Sequence, residues 1–202
     1  MKKETIEEYQ AYDNKMGNRK GLYQVVAAQY KIKSAIYPGS HIDIAPSLVI
    51  PEVTYIDNFK GAIKFFKDIE TIKEYIEQEK EYPEPSEIKF LGQDYNQPLA
   101  IEKVDLIISQ YAGFVGQATK DNLKAGGILL CNDSHGDASL ANFDDDYQLI
   151  GIIDNNKIKT KDLDKYFKLP AGKTIDLKKV RDEMKGLKYK VMAENYLFKK
   201  VK

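Results

Sequence analysis

Two residues 18 positions apart carry the clearest chemistry in this chain. Gly39 breaks the short apolar run Ser34-Ala35-Ile36-Tyr37 at Pro38-Gly39-Ser40, and Asp57 closes a second run, Val53-Thr54-Tyr55-Ile56. A glycine at the end of a buried parallel strand has no Cβ, so a ligand can come close to the backbone there. A carboxylate at the tip of the next strand can accept hydrogen bonds from two ribose hydroxyls. Together they point to a nucleoside-type cofactor over the carboxyl ends of a parallel sheet. Asp57 has a second possible use, as the N-cap of a helix beginning at Asn58.

The chain's two histidines, His41 and His135, each follow a predicted parallel strand, with Asp43, Asp133 and Asp137 nearby in sequence. Such a set serves as a metal site, as an acid/base pair for deprotonating a substrate, or simply as polar surface groups. Cys131 is the single cysteine, so neither an internal disulfide nor a cysteine-based zinc site can form. The HExxH, GxSxG and P-loop patterns do not occur in the sequence.

The elements that position these residues follow an α/β alternation of short apolar runs and longer amphipathic stretches. Helices are expected over residues 2–16 and 21–33, strands near 34–37 and 53–56, and a long or broken helix from 58 to about 81. Pro83 and Pro85 end that helix. Further strands are expected near 87–91, 104–109, 128–131, 147–153 and 195–201. A helix is expected to run up to Leu123, a loop with some helix over 133–142, and two helical patterns near 161–167 and 176–185. Without internal repeats or a flexible linker, the simplest organisation is a single domain over 1–202 with an N-terminal helical extension at about 1–33.

As a set, these elements resemble the class I S-adenosylmethionine-dependent methyltransferases, from about Gly21 to the C-terminus. The positions that match are Tyr37-Pro38-Gly39-Ser40 after the first strand, Asp57 after the second, Asp94 in Leu91-Gly92-Gln93-Asp94-Tyr95 after the third, and Ser109-Gln110-Tyr111-Ala112 after the fourth. The turn Leu123-Lys124-Ala125-Gly126-Gly127 and the aromatic closing strand Asn195-Tyr196-Leu197-Phe198 are also similar. The resemblance implies an α/β, seven-stranded, mostly parallel Rossmann-like methyltransferase sheet with helices on both faces and an antiparallel last strand. It implies S-adenosylmethionine as cofactor, held by Gly39, Ser40, Asp57, Asn58, Asp94, Tyr95 and Gln110, with Tyr111 and His135 as candidate catalytic residues and no metal. Asp94 would face the adenine amine, or it is a plain loop acid; Tyr111 would touch the substrate, or it is an aromatic at the edge of the core.

This chain departs from the family's first turn, which carries two or three alternating glycines. His41 stands two residues after Gly39 and Asp43 two further on, and Pro46 and Pro51 leave room for about one helical turn between them. Two functions are therefore carried forward. One is methyl transfer to a small-molecule acceptor. The other is a methyltransferase-like fold without catalysis, acting as a ligand-binding or regulatory module. A nicotinamide dehydrogenase is disfavoured because Gly-x-Gly-x-x-Gly is absent after the first strand.

Composition narrows the setting. With 43% hydrophobic and 31% charged residues, the 202-residue chain reads as an ordinary soluble protein with a full core. No apolar run approaches the roughly 18 residues of a membrane span, and the first residues contain no apolar signal core. A cytoplasmic location, a small-molecule partner, and neither nucleic acid nor membrane are expected. Net charge is zero but uneven: residues 155–202 hold 15 Lys and Arg against 6 Asp and Glu, leaving +9 there and −9 in the rest. A basic segment of this kind either binds an anionic partner or forms solvated lysine faces.

Overall fold

The computed structural model describes residues 2–17 and 19–202, and it divides into two compact units, one ending at Gln97 and one spanning Pro98–Lys202. The first unit opens with helices α1 (Lys2–Met16) and α2 (Lys20–Tyr30). Leu22, Tyr23 and Val26 form the buried stripe of α2, and Lys31 ends the helix in a left-handed conformation. The unit's strands are β1 (Ser34–Pro38), β2 (Glu52–Ile56) and β3 (Glu87–Leu91), ordered β3-β2-β1 and all parallel.

Between β1 and β2 the prolines leave a single 3-10 turn, Ala45–Leu48, with Pro46 in its first positions. The expected helix after β2 is broken in two, α3 (Lys60–Phe66) and α4 (Ile69–Glu79), with Asp68 between them. Aromatic rings fill the space over β2: Phe66 stacks on Phe90 at 4.3 Å and on Tyr55 at 5.1 Å. Helix α1 joins this core through Tyr9, which is buried with its ring edge-on to Tyr75 of α4.

In the second unit, β4 (Val104–Ser109) pairs in parallel with β5 (Leu123–Cys131), and β8 (Asn195–Lys200) lies antiparallel between β5 and β6 (Tyr147–Asp154). The strand order is β4-β5-β8-β6-β7. Near-continuous apolar runs such as Leu106-Ile107-Ile108 and Leu129-Leu130-Cys131 are fully buried, as parallel strands covered on both sides must be. The helices are short: α5 (Val115–Ala118), α6 (Asp137–Asn142) and α7 (Leu177–Glu183). The fold is thus α/β and Rossmann-like, with parallel strands early in the chain and antiparallel ones at its C-terminal end.

Three expectations are corrected. The described residues form eight strands rather than seven, because β7 (Lys157–Lys159) makes a hairpin with β6 through Asn155 and Asn156, both at positive φ. Two consecutive left-handed residues make the turn whose twist matches a hairpin. The helical pattern near 161–167 shrinks to a 3-10 turn at Leu163–Lys165. The helix expected up to Leu123 is only α5 and a 3-10 turn, Lys120–Asn122, and β5 starts at Leu123 rather than 128. Residues 124–127 are accommodated as an irregularity in the β4–β5 ladder, where Gly126 takes a φ of +79°.

Candidate functional site

In the first unit, β1 runs directly into a turn that only a few residue types can make. Gly39 has φ +65°, and its N–H donates to the Ile56 carbonyl at 2.7 Å, extending the β1–β2 ladder by one step before the chain turns away. His41 follows at φ +50°, a left-handed conformation uncommon for a residue with a Cβ. In that conformation the His41 N–H donates to Asp57 Oδ2 at 2.8 Å.

Asp57 sits just past β2, its own N–H bonded to the Leu91 carbonyl of β3. Its other oxygen, Oδ1, accepts the Phe59 N–H at 2.8 Å, and the residue is 9% exposed. The bond two residues onward closes an Asx turn. Helix α3 begins only at Lys60 and has no side-chain cap, so the cap reading of Asp57 gives way to a carboxylate that ties two turns together.

Above this carboxylate lies a small aromatic stack that the sequence alone did not reveal. The His41 ring is stacked on Phe59 at 5.5 Å and faces Tyr12 of α1 at 5.2 Å, and Phe59 is 54% exposed. His41 Nδ1 is buried and has no hydrogen-bond partner among the described residues. A signal for Phe59 was present: it lies outside the buried face of α3, which is Ala62, Phe65 and Phe66.

Asp43 is not beside His41 in function. It is buried, accepting hydrogen bonds from Tyr23 Oη at 2.8 Å, Tyr37 Oη at 3.2 Å and the Ala45 N–H at 3.2 Å, with Arg19 at 3.4 Å. Burial pushes its carboxyl upward, and Arg19 and the tyrosines pull it back. The charge is committed to holding the turn. Ser40 is buried beneath it, Asn58 is exposed, and Tyr95 is half-buried. Asp94 spends Oδ1 on the N–H and side-chain amide of Asn96, both at 2.8 Å, in a loop beyond β3.

In the second unit, the ends of β4, β5 and β8 are joined by buried amides. Gln110 donates to Asn195 Oδ1 at 2.8 Å and accepts from Asn132 Nδ2 at 3.3 Å. Tyr111 follows at φ +60° and is 59% exposed, a strained, outward-facing aromatic of the kind that collects at functional sites. Ser109 donates to Asp137 Oδ2 at 2.6 Å, and the Gly116 N–H donates to the same oxygen at 2.9 Å. Burial drives the Asp137 carboxyl up to about 7.

Asp133, after β5, accepts from the Ser139 N–H at 2.7 Å and Ser139 Oγ at 2.8 Å, and burial raises it to about 6. Ser139 Oγ also meets Tyr189 Oη at 2.8 Å. His135, half-buried, has Nδ1 3.0 Å from Ser134 Oγ. Burial lifts the Cys131 thiol well above its ordinary range, so it is a packing residue. Among the described residues no group of three or more His, Cys, Asp or Glu is arranged to hold a metal ion.

No family model and no curated protein matches the chain. Among solved structures it is similar to a methyltransferase from Geobacter sulfurreducens, at 10% identity over 76% of this chain and 85% of that one, with a TM-score of 0.49. The N-methyltransferase NodS from Bradyrhizobium japonicum is 12% identical over 90% and 93% of the two chains, at 0.45. The plantazolicin methyltransferase BpumL, in complex with SAH, is 13% identical at 0.43, over 62% of this chain and 51% of that one.

Proposed function

We propose that this chain is an S-adenosylmethionine-dependent methyltransferase acting on a small-molecule acceptor. The observation that carries the reading is the Asp57 carboxylate, held beside the Gly39 turn by two backbone N–H groups. An ionised carboxylate offers about four acceptor positions. The two amides use one on each oxygen, leaving one on each for the paired hydroxyls of a ribose. The remaining acceptor positions at the turn therefore suit the ribose of a nucleoside, and the unpartnered His41 Nδ1 adds one further polar position at the same place.

Gly39 and Ser40 would form the backbone floor, Asp57 and Asn58 the ribose end, and Asp94 with Tyr95 the adenine end. Gln110 is a further cofactor candidate. S-adenosylmethionine supplies the electrophile, a methyl group on a positively charged sulfur. The protein's part is to orient the acceptor atom in line with that methyl. Tyr111 would orient the acceptor, and His135 would take its proton at Nε2, since Ser134 Oγ engages Nδ1. No described helix is long and apolar enough to cross a membrane; a cytoplasmic setting without nucleic acid as partner completes the proposal.

Calorimetric titration with S-adenosylmethionine, S-adenosylhomocysteine and NAD tests it. Micromolar to sub-millimolar binding of the first two and none of the third is expected. Silence for all three would overturn the cofactor assignment.

A further inference from the structure

The basic C-terminal part of the chain holds a cleft packed against the loop that follows β5. Residues 168–190 form a loop whose ends are clasped by the Lys190 N–H donating to the Lys168 carbonyl at 2.8 Å. Inside it lies a cavity of about 490 Å³, within the range of small-molecule sites. Leu169, Pro170, Val180 and Leu187 give it apolar walls.

The floor is fixed by close packing. A Cβ on Gly136 would stand 2.3 Å from Val180 Cγ1, and one on Gly186 would stand 2.1 Å from the Asp133 carbonyl oxygen. Both glycines are thus required where α7 and the turn after it press on the loop following β5.

The rim carries an excess of cations. Lys173, Lys179, Lys185 and Lys188 line the cleft with Asp176 and Glu183. Asp176 is occupied in accepting the Lys179 N–H at 2.9 Å, and Glu183 lies 3.7 Å from Lys179. Lys173, Lys185 and Lys188 form no ion pair among the described residues. Ile175 and Met184, on the same loop, add exposed apolar surface beside the charges.

We infer that this cleft binds an amphipathic organic anion, with an alkyl or aryl body against Leu169, Val180 and Leu187 and a carboxylate or sulfonate head among Lys173, Lys185 and Lys188. An apolar floor of limited volume with a net cationic rim suits a single charged head on a short apolar body. A nucleic-acid surface would instead track a backbone with cations and offer rings for stacking. The inference needs no cofactor.

Decanoate, decanol and acetate, each titrated up to about 1 mM into the isotopically labelled full chain, provide the test. Decanoate is expected to shift the backbone amides of Val180, Gly186 and Leu187, decanol to bind about tenfold more weakly or less, and acetate not at all. Replacing Lys185 and Lys188 together by Gln should weaken decanoate about tenfold and leave decanol unchanged. The decanol response also reports that the variant's cleft is intact. Equal affinity for decanoate and decanol, equal affinity for acetate and decanoate, shifts confined to other parts of the chain, or no binding by any of the three would each overturn the inference.

Discussion

The Asp57 carboxylate lies 2.8 Å from the backbone N–H of His41, so the tip of the second strand is hydrogen-bonded to the turn that leaves the first. A single side chain therefore sets both the shape of the glycine turn and the acceptor geometry that a ribose would meet. Structure and the proposed binding are coupled at this residue.

Replacing Asp57 with Asn separates the two roles incompletely, and the result follows from the hydrogen bonds. Asn has one acceptor oxygen and one NH2 donor, so it satisfies either the His41 or the Phe59 N–H and turns a donor toward the other. Stability should fall by about 1–3 kcal/mol, and affinity for S-adenosylmethionine by about 10- to 150-fold. Urea unfolding and calorimetry measure the two effects. An unchanged affinity in a variant that still folds would remove Asp57 from the cofactor site.

Asp137 and Asp133 make stability depend on pH in a defined direction. Their folded values, about 7 and about 6, lie above the ordinary value of 3.8. The folded protein then holds protons that the unfolded chain has released. Stability is at its full level below about pH 4 for these groups and falls as pH rises to about 7, by up to about 1.4 kcal/mol per unit per group. Asp137→Asn should flatten this slope. Unfolding curves at pH 5 and pH 8 for both proteins show it, and parallel losses in the two would count against the assignment.

Arg19 is the only cation in contact with buried Asp43 among the described residues. Arg19→Ala should cost about 3–5 kcal/mol, because the carboxylate keeps its burial and loses its counter-charge. Adding Asp43→Asn should return part of that loss, which a double-mutant cycle on unfolding free energies reads directly.

Gly186→Ala places a methyl where Asp133 already stands, 2.1 Å from its carbonyl oxygen. The loop must move, at a cost of about 1–3 kcal/mol. For a chain of this size that is a drop in Tm of about 2–12 °C by thermal denaturation.

Much of the first unit was legible because its strands end in residues that announce themselves. The strand at 87–91 follows two prolines, and in the second unit the one at 104–109 is marked by the apolar run Leu106-Ile107-Ile108, so both were readable. The second unit hid more. Gly113 and Gly116 interrupt the periodicity before Leu123, and the pair Asn155-Asn156 is a hairpin turn that passes easily for a polar loop. At the site, Gly39 and Asp57 were visible as strand tips. The ring of Tyr12 against His41 and the clasp of Tyr23 on Asp43 were not, because each contact joins residues at least 20 positions apart through packing that no local pattern encodes.

The place of β8 has a consequence for synthesis. It is antiparallel between β5 and β6, and both of those strands leave the ribosome well before it does. Until Asn195–Lys200 emerges, each presents an open edge, and β5 adds a fully apolar face at Ile128–Cys131. Such edges recruit other strands. A nascent chain stalled just short of Asn195 should be a preferred client of chaperones that hold exposed apolar strands, and emergence of β8 should end that dependence.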